Sequence, residues 1–200
     1  YDMDGTVFLL DWSDVGECHE NDGIHRTSGR IYRITYGNRK PNKHDLAQKT
    51  SEELANLLDK PNKRIVRHSA RLLQERSGNG EMDEKTVISL RNKKDGKKIQ
   101  TRLQGLWALH ATENLKEKEL GSLIKDKNEH MRIWAMKLMV DNGKASKKAS
   151  KSIIEQAKSE TSALVRLHFA SIMRNLSEQD RWQLAEILST SEDLKQDPVF

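Results

Sequence analysis

One arginine recurs along this chain at intervals typical of a repeat protein. After each copy, a small residue follows three or four positions later and an apolar or small residue follows at six. The copies are separated by 35, 30 and 34 residues, at Arg67, Arg102, Arg132 and Arg166. A period in the thirties with two helices per unit is typical of an α-solenoid, in which each unit buries one face against its neighbours. The small residues, which predict close helix crossings, are Ala70, Gly105, Ala135 and Ala170.

Helix breakers divide the chain after residue 45 into nine predicted helices. The clearest breakers are Lys60-Pro61, Ser77-Gly78-Asn79-Gly80, Asp95-Gly96 and Asp141-Asn142-Gly143. The helices are predicted over residues 47–59, 61–76, 83–93, 97–112, 115–125, 128–141, 146–158, 161–176 and 178–189. The predicted fold is therefore mainly α, with a solenoid of helix pairs over residues 46–200 that is cut within a repeat.

The composition suits a solenoid better than a compact globule. Only 35% of the residues are hydrophobic and 32% are charged, and no apolar run approaches the about 20 residues of a membrane helix. Cys18 is the only cysteine, so no disulfide can form within these residues. The net charge of +5 is uneven, because residues 1–37 hold seven acidic and three basic residues. The basic remainder either meets nucleic acid or another acidic surface, or is a solvated lysine-rich surface with interleaved acids.

Two short strands are predicted before the helices. Val7–Leu10 is an apolar run after Gly5. After Gly29, Arg30 and Arg33 are interspersed with four β-branched or aromatic residues, Ile31, Tyr32, Ile34 and Tyr36. Two strands of this length cannot make a stable domain alone. We therefore expect residues 1–37 to be the last piece of a larger β-structure.

Residues 38–45 are polar, contain a proline and show no periodicity, so they are predicted to be a linker to the helices. Tyr32 and Ile34 need cover, and we expect it from the first helices around Leu54 and Leu57.

The loop between the predicted strands holds candidate metal ligands. His19, Asp22 and His25 are of the types that bind divalent metals, and long polar loops on a β-scaffold often carry sites. Alternatively, Asp11 and Asp14 cap turns while His25 pairs with nearby acids, or the loop completes an active site that lies upstream. We favour the structural interpretation.

The recurring arginines and the tryptophans each allow two interpretations. Arg67, Arg102, Arg132 and Arg166 either bind phosphates or pair with an acid or a helix C-terminus in the next repeat, as a structural ladder; we favour the ladder. Trp107, Trp134 and Trp182 either stack on bases or, as we expect from their helical spacing, belong to the core. The sequence contains no glycine-rich phosphate loop, no Ser/His/Asp order and no paired cysteines.

The arginine phrase resembles the second helix of HEAT repeats, in which an acid or Asn precedes Val-Arg, then Ala and Leu. Two units match well, through Asn62, Val66-Arg67, Ala70 and Leu73, and through Asn128, Met131-Arg132, Ala135 and Leu138. A third matches with a slip of one, through Val165-Arg166, Ala170 and Ile172. The unit of Arg102 departs, because Thr101 precedes the arginine and Gly105 replaces Ala. The resemblance covers residues 46–189 and implies a HEAT-like solenoid.

Residues 1–37 resemble the end of the β-propeller in the membrane-bound dehydrogenase family of planctomycetes and their relatives. That propeller is similar to the one of soluble glucose/sorbosone dehydrogenases. The resemblance is carried by Asp4-Gly5, Asp11-Trp12-Ser13-Asp14, Cys18-His19, Asp22 and the phrase from His25 to Ile34. In that family HEAT-like repeats and then a c-type haem domain commonly follow the propeller.

The resemblance implies that this chain is a non-catalytic scaffold or interaction module of a secreted or periplasmic parent. The parent would oxidise sugar-type alcohols with a quinone cofactor, calcium and c-type haem, none of them within these residues, and its own propeller and haem domains would be the partners. The alternative is a nucleic-acid-binding solenoid, similar to HEAT-like DNA glycosylases. A basic, aromatic-bearing face would favour nucleic acid, whereas arginines paired across repeats would favour the scaffold.

Overall fold

A computed structural model describes residues 1–11, 29–38 and 45–190. The described part is mainly helical, with 63% of it in helices and one small sheet, as predicted. The chain divides into two compact units, Tyr1–Leu72 and Leu73–Phe200, so each unit is described by itself. Most of the predicted linker 38–45 and all of residues 191–200 lie outside the described residues.

The sheet of the first unit is an antiparallel hairpin of β1 (Val7–Leu10) and β2 (Ile31–Ile34). Val7 lies opposite Ile34, and Leu10 lies opposite Ile31. A turn leads into β1, in which an Asp4 carboxylate oxygen accepts a hydrogen bond from the Thr6 N–H at 2.9 Å. The pairing of the two predicted strands is confirmed.

The expectation that Tyr32 and Ile34 are covered is wrong, because these side chains are 47% and 54% exposed. The reason lies in how the hairpin is held. The Asn62 side-chain amide donates to the carbonyls of Asp2 and Met3 at 3.0 Å each, so the attachment is polar and precedes the strand. It brings no apolar surface to either face of the ribbon.

The first unit continues with a 3₁₀ turn (Leu46–Gln48), α1 (Ser51–Leu57) and the start of α2 (Lys63–Gly78). Thr50 and Glu53 form a reciprocal capping box at the start of α1. The Asn62 side-chain oxygen accepts from the N–H of Arg64 at 2.9 Å, so this side chain also caps α2.

Seven further helices follow among the described residues of the second unit. They are α3 (Glu84–Lys94), α4 (Ile99–Ala111), α5 (Glu117–Leu123), α6 (Glu129–Met139), α7 (Lys147–Ser159), α8 (Ala163–Ile172) and α9 (Glu178–Ser189). Consecutive helices pack as the pairs α3–α4, α5–α6 and α7–α8. Among the second helices of the pairs, α4 packs against α6, and α6 packs against α8. In the same way, α5 packs against α7, and α7 packs against α9.

The core of the second unit lies between these helices. Its fully buried side chains include Leu106, Ile124, Met131, Ile153 and Phe169. Ala135, one of the predicted crossing residues, is also fully buried. Each short helix therefore gains its stability from burying one face against its neighbours rather than from its own propensity.

The helices α3 and α4 approach each other closely at Gly105. A Cβ atom at this position would lie 2.5 Å from the Lys94 backbone nitrogen and 2.8 Å from the Leu90 carbonyl oxygen. The close crossing that was predicted there is confirmed, although Gly105 is where the chain departs from the HEAT pattern. In the described residues, no helix has both the length and the apolar character needed to span a membrane.

Candidate functional site

Arg102 joins α4 to two other parts of the second unit. Its Nη1 and Nη2 atoms donate to the two carboxylate oxygens of Asp126 at 3.1 and 2.6 Å. Its Nε atom donates to the Lys94 carbonyl at the C-terminal end of α3, at 3.0 Å. Asp126 also accepts from the Asn128 N–H at 2.9 Å, just before α6 begins. One guanidinium in α4 thus links the C-terminal end of α3 to the turn between α5 and α6.

Arg132 repeats this arrangement one helix pair later. Its Nε and Nη2 atoms donate to the Glu160 carboxylate at 2.8 and 2.7 Å, and its Nη1 atom donates to the Asp126 carbonyl at 2.9 Å. The Glu160 side chain is only 1% exposed. It also accepts from the N–H groups of Thr161 and Ser162 at 3.0 and 2.9 Å. The buried carboxylate is therefore fully hydrogen-bonded.

Both carboxylates of this ladder are held in the ionised form. Burial acts to raise the pKa of Glu160, but hydrogen bonds from Arg132, the Ser162 N–H and Gln156 outweigh it and the pKa lies below its usual value. Burial opposes ionisation of Asp126 as well, and the hydrogen bonds from Arg102 and Asn128 lower its pKa. The pKa of Arg102 is raised by the hydrogen bond to Asp126, against the effect of burial.

The other two arginines of the predicted column have different environments. Arg166 donates to the carbonyls of Glu160 and Thr161 at 2.5 and 3.3 Å, which precede its own helix. Arg67 is exposed, and the structure gives it no hydrogen bond or ion pair with the described residues. The structure therefore places Arg102, Arg132 and Arg166 around shared partners and leaves Arg67 apart.

A parallel link that the sequence interpretation missed lies on the first helices of the pairs. Arg91 in α3 forms a short ion pair with Glu119 in α5, and it donates to the Asn114 carbonyl at 2.9 Å. Arg91 and Glu119 are 28 residues apart, as are Arg132 and Glu160. A search for an acid at a fixed distance after each arginine would have found both pairs.

A second cluster lies where α4, α6 and α8 pack side by side. Trp107 and Trp134 meet edge to face, with ring centroids 4.8 Å apart and planes at 71°. The Lys137 ammonium lies 5.0 Å from the Trp134 ring centroid, within cation–π range. Both indoles are half-buried, whereas Trp182 is 70% exposed. The expectation that Trp182 belongs to the core is wrong, because it lies on the outer face of α9.

A cleft of about 420 Å³ opens beside the Trp134–Lys137 pair, between the C-terminal ends of α6 and α8. Its polar lining includes Lys137, Asp141, Ser171, Arg174 and Asn175. Nearby on α8, burial lowers the pKa of His168, and the positive charge of Lys137 lowers it further. The cleft thus has a positive electrostatic character on the side of Lys137.

The predicted metal ligands His19, Asp22 and His25 lie outside the described residues. In residues 1–11, 29–38 and 45–190, no group of three or more His, Cys, Asp or Glu side chains could hold a metal ion. The chain matches no protein-family model, no curated protein and no solved structure.

Proposed function

We propose that the helices form a HEAT-like α-solenoid that serves as a non-catalytic scaffold within a larger, dehydrogenase-like propeller protein. The arginine ladder carries this proposal. Arg102 and Arg132 each use all three guanidinium nitrogens to donate to carboxylates and carbonyls of neighbouring helix boundaries. Arginines used in this way set the spacing of successive helix pairs and are not available to an external partner.

The packing order of the helices supports the same proposal. Contacts run from each second helix to the next, in the order α4–α6–α8, as expected of a stack in which each unit touches only its neighbours. Satisfied buried ion pairs add little net stability compared with apolar residues. Their use at successive boundaries is better explained as fixing the geometry of the stack.

The hairpin supports the propeller part of the proposal. Its strands expose large apolar side chains on both faces: Leu10 and Ile31 on one face, at 75% and 69%, and Leu9 and Tyr32 on the other, at 54% and 47%. Exposed apolar surface together with two open edges is typical of a sheet that continues into further strands. The dehydrogenase-like parent, its haem domain and its periplasmic location rest on the sequence resemblance.

Native-state hydrogen exchange tests the scaffold. In a nearest-neighbour stack, Arg132→Ala should lower protection mainly in α5–α8, next to the broken link, and leave α3 protected as in the wild type. Arg67→Ala is the matched control, since Arg67 has no described partner, and should leave the exchange pattern unchanged. An equal loss of protection across α3–α9 would contradict the stack.

A nucleic-acid-binding solenoid is the second candidate, favoured by the Trp107–Trp134–Lys137 cluster and the net charge of +5. Fluorescence anisotropy with single- and double-stranded DNA at two salt concentrations tests it, because phosphate contacts give strongly salt-dependent affinity. If Arg132→Ala keeps the stability of the wild type and abolishes such binding, the nucleic-acid function replaces the scaffold.

A further inference from the structure

Equivalent positions of the second helices α6 and α8 meet at the cleft, where Trp134, Lys137 and Ser171 line the wall and the charge of Lys137 acts on His168. Trp134 and Lys137 follow the ladder residue Arg132 by two and five positions, and His168 and Ser171 follow Arg166 by the same two steps. Since α6 packs against α8, these side chains share one face. The cleft is therefore a consequence of the repeat, and its chemistry depends on what each repeat places at these two positions.

The cations at this cleft have no carboxylate partner. Lys137 contacts the Trp134 ring, and neither Lys137 nor Arg174 forms an ion pair with any residue in the described ranges. Asp141 is the one carboxylate in the described lining, and its Oδ2 atom already lies 3.0 Å from His110 Nε2. This differs from Arg102 and Arg132, whose guanidinium nitrogens all donate to carboxylates or carbonyls. Unpaired cations that face a common cleft favour an anionic ligand.

We propose that the cleft between α6 and α8 binds a phosphate monoester through Lys137 and Arg174. Two cations match the double negative charge of a phosphate monoester, and a guanidinium can donate to two of its oxygens. Ser171 lies at the same wall, but its hydroxyl already donates to the His168 carbonyl at 2.8 Å, so the two cations would hold the phosphate. The volume of about 420 Å³ is in the range of small-molecule sites. The Trp134 indole offers apolar contact to the group that carries the phosphate.

The lowered pKa of His168 is consistent with this site. Burial is the main cause and the charge of Lys137 is the second, so the positive charge of Lys137 reaches this part of α8. The proposal stands apart from the scaffold function, because it uses none of the ladder arginines.

Titration calorimetry of the whole chain at low salt, with inorganic phosphate and with a nucleoside monophosphate, tests the site. Saturable one-to-one binding is expected, and Lys137→Gln and Arg174→Gln should each weaken it by at least about tenfold. The matched control is Lys158→Gln. Lys158 lies on α7, away from the proposed cleft lining, is exposed and pairs with Glu155 of the same helix at 2.8 Å. This variant should bind both probes with the affinity of the wild type. Thermal melting shows that each variant is folded.

The two probes distinguish the sources of the phosphate. Tighter binding of the nucleoside monophosphate, with the advantage reduced by Trp134→Phe, identifies an organic phosphate that uses the indole. Equal binding of both probes identifies recognition of the phosphate alone. The proposal is overturned if neither probe binds, if Lys137→Gln and Arg174→Gln bind like the wild type, or if only a single-stranded oligonucleotide binds.

Discussion

Four arginines occupy the same position of the sequence repeat, yet their side chains have four different environments. Arg132 holds a carboxylate that is almost fully buried, and Arg102 holds one that is 15% exposed. Arg166 is hydrogen-bonded to backbone carbonyls, and Arg67 is exposed. Removing the arginine at this position therefore has no single effect on the free energy of unfolding. The effect depends on which carboxylates or carbonyls lose their hydrogen-bond donor.

The first prediction ranks three of these arginines by alanine substitution. Arg132→Ala should lower the free energy of unfolding by about 3 kcal/mol, because it leaves the Glu160 charge buried without its partner. Arg166→Ala should cost about 1 kcal/mol, as expected for lost hydrogen bonds to carbonyls. Arg67→Ala should stay within about 0.5 kcal/mol of the wild type. Urea denaturation measures all three.

The double variant Arg132→Met, Glu160→Met is the control for this ranking. It removes both charges together, so it should be more stable than Arg132→Ala. Equal effects at Arg132 and Arg67 would show that the ladder does not contribute to stability.

The second prediction concerns pH. The folded-state pKa of Glu160 is lowered from the usual glutamate value of 4.5. Ionised Glu160 therefore stabilises the fold at pH values above 4.5. This stabilisation is lost as the pH falls from 4.5 toward the folded-state pKa. Without Arg132, burial would raise the pKa of Glu160. The stability difference between the wild type and Arg132→Ala should therefore shrink as the pH is lowered from neutral to below the usual pKa of a glutamate. Urea denaturation at several pH values checks this, and a constant difference would contradict it.

At the scale of elements, the crossing of α3 and α4 depends on the absence of a side chain. Helix propensity alone says that replacing Gly105 by alanine in the middle of α4 should stabilise the protein by about 1 kcal/mol. The added Cβ would, however, meet backbone atoms of α3 at 2.5 and 2.8 Å. Backbone atoms cannot move aside as a flexible side chain can, so the two helices would have to separate.

The third prediction follows from this contrast. Gly105→Ala should lower the free energy of unfolding by about 1–3 kcal/mol, as overpacking does. Gly121→Ala in α5 is the matched control, because the nearest atom to its Cβ would be the Ser152 Oγ at 4.0 Å, and it should be neutral or stabilising. Thermal melting of both variants distinguishes the two cases. A more stable Gly105→Ala would show that α3 and α4 can shift apart without loss.

The elements were predictable from local chemistry, and their partners were not. Each predicted helix has a counterpart, because breakers such as Asp95-Gly96 and caps such as Thr50 act within a few residues. The exposure of Trp182 depends instead on which face of α9 meets α7 and α8. The link from Arg91 to Glu119 left a trace in the sequence, the spacing of 28 residues that it shares with Arg132 and Glu160. The cleft between α6 and α8 was missed because, like the exposure of Trp182, it depends on which helices pack together.

At the largest scale, that of the first unit, the hairpin makes mainly polar contacts with α2. They include the Asn62 hydrogen bonds to Asp2 and Met3 at 3.0 Å, an Arg64 hydrogen bond to the Tyr1 carbonyl at 3.5 Å and an Arg64–Asp2 ion pair at 3.6 Å. All eight strand residues are exposed. Contacts of this kind typically contribute about 1 kcal/mol each, less than burial of a large apolar side chain would.

The fourth prediction is that deleting residues 1–37 leaves the helices folded. The helical circular dichroism signal should be kept, because every residue of both strands is exposed and therefore buries little surface against the helices of this unit. Self-association, measured by sedimentation, should fall with the loss of exposed apolar surface. Asn62→Asp is the matched control: it keeps the oxygen that caps α2 and removes the amide that holds the hairpin. Loss of helicity in the deletion but not in Asn62→Asp would show that the strands support the helices through more than these polar contacts.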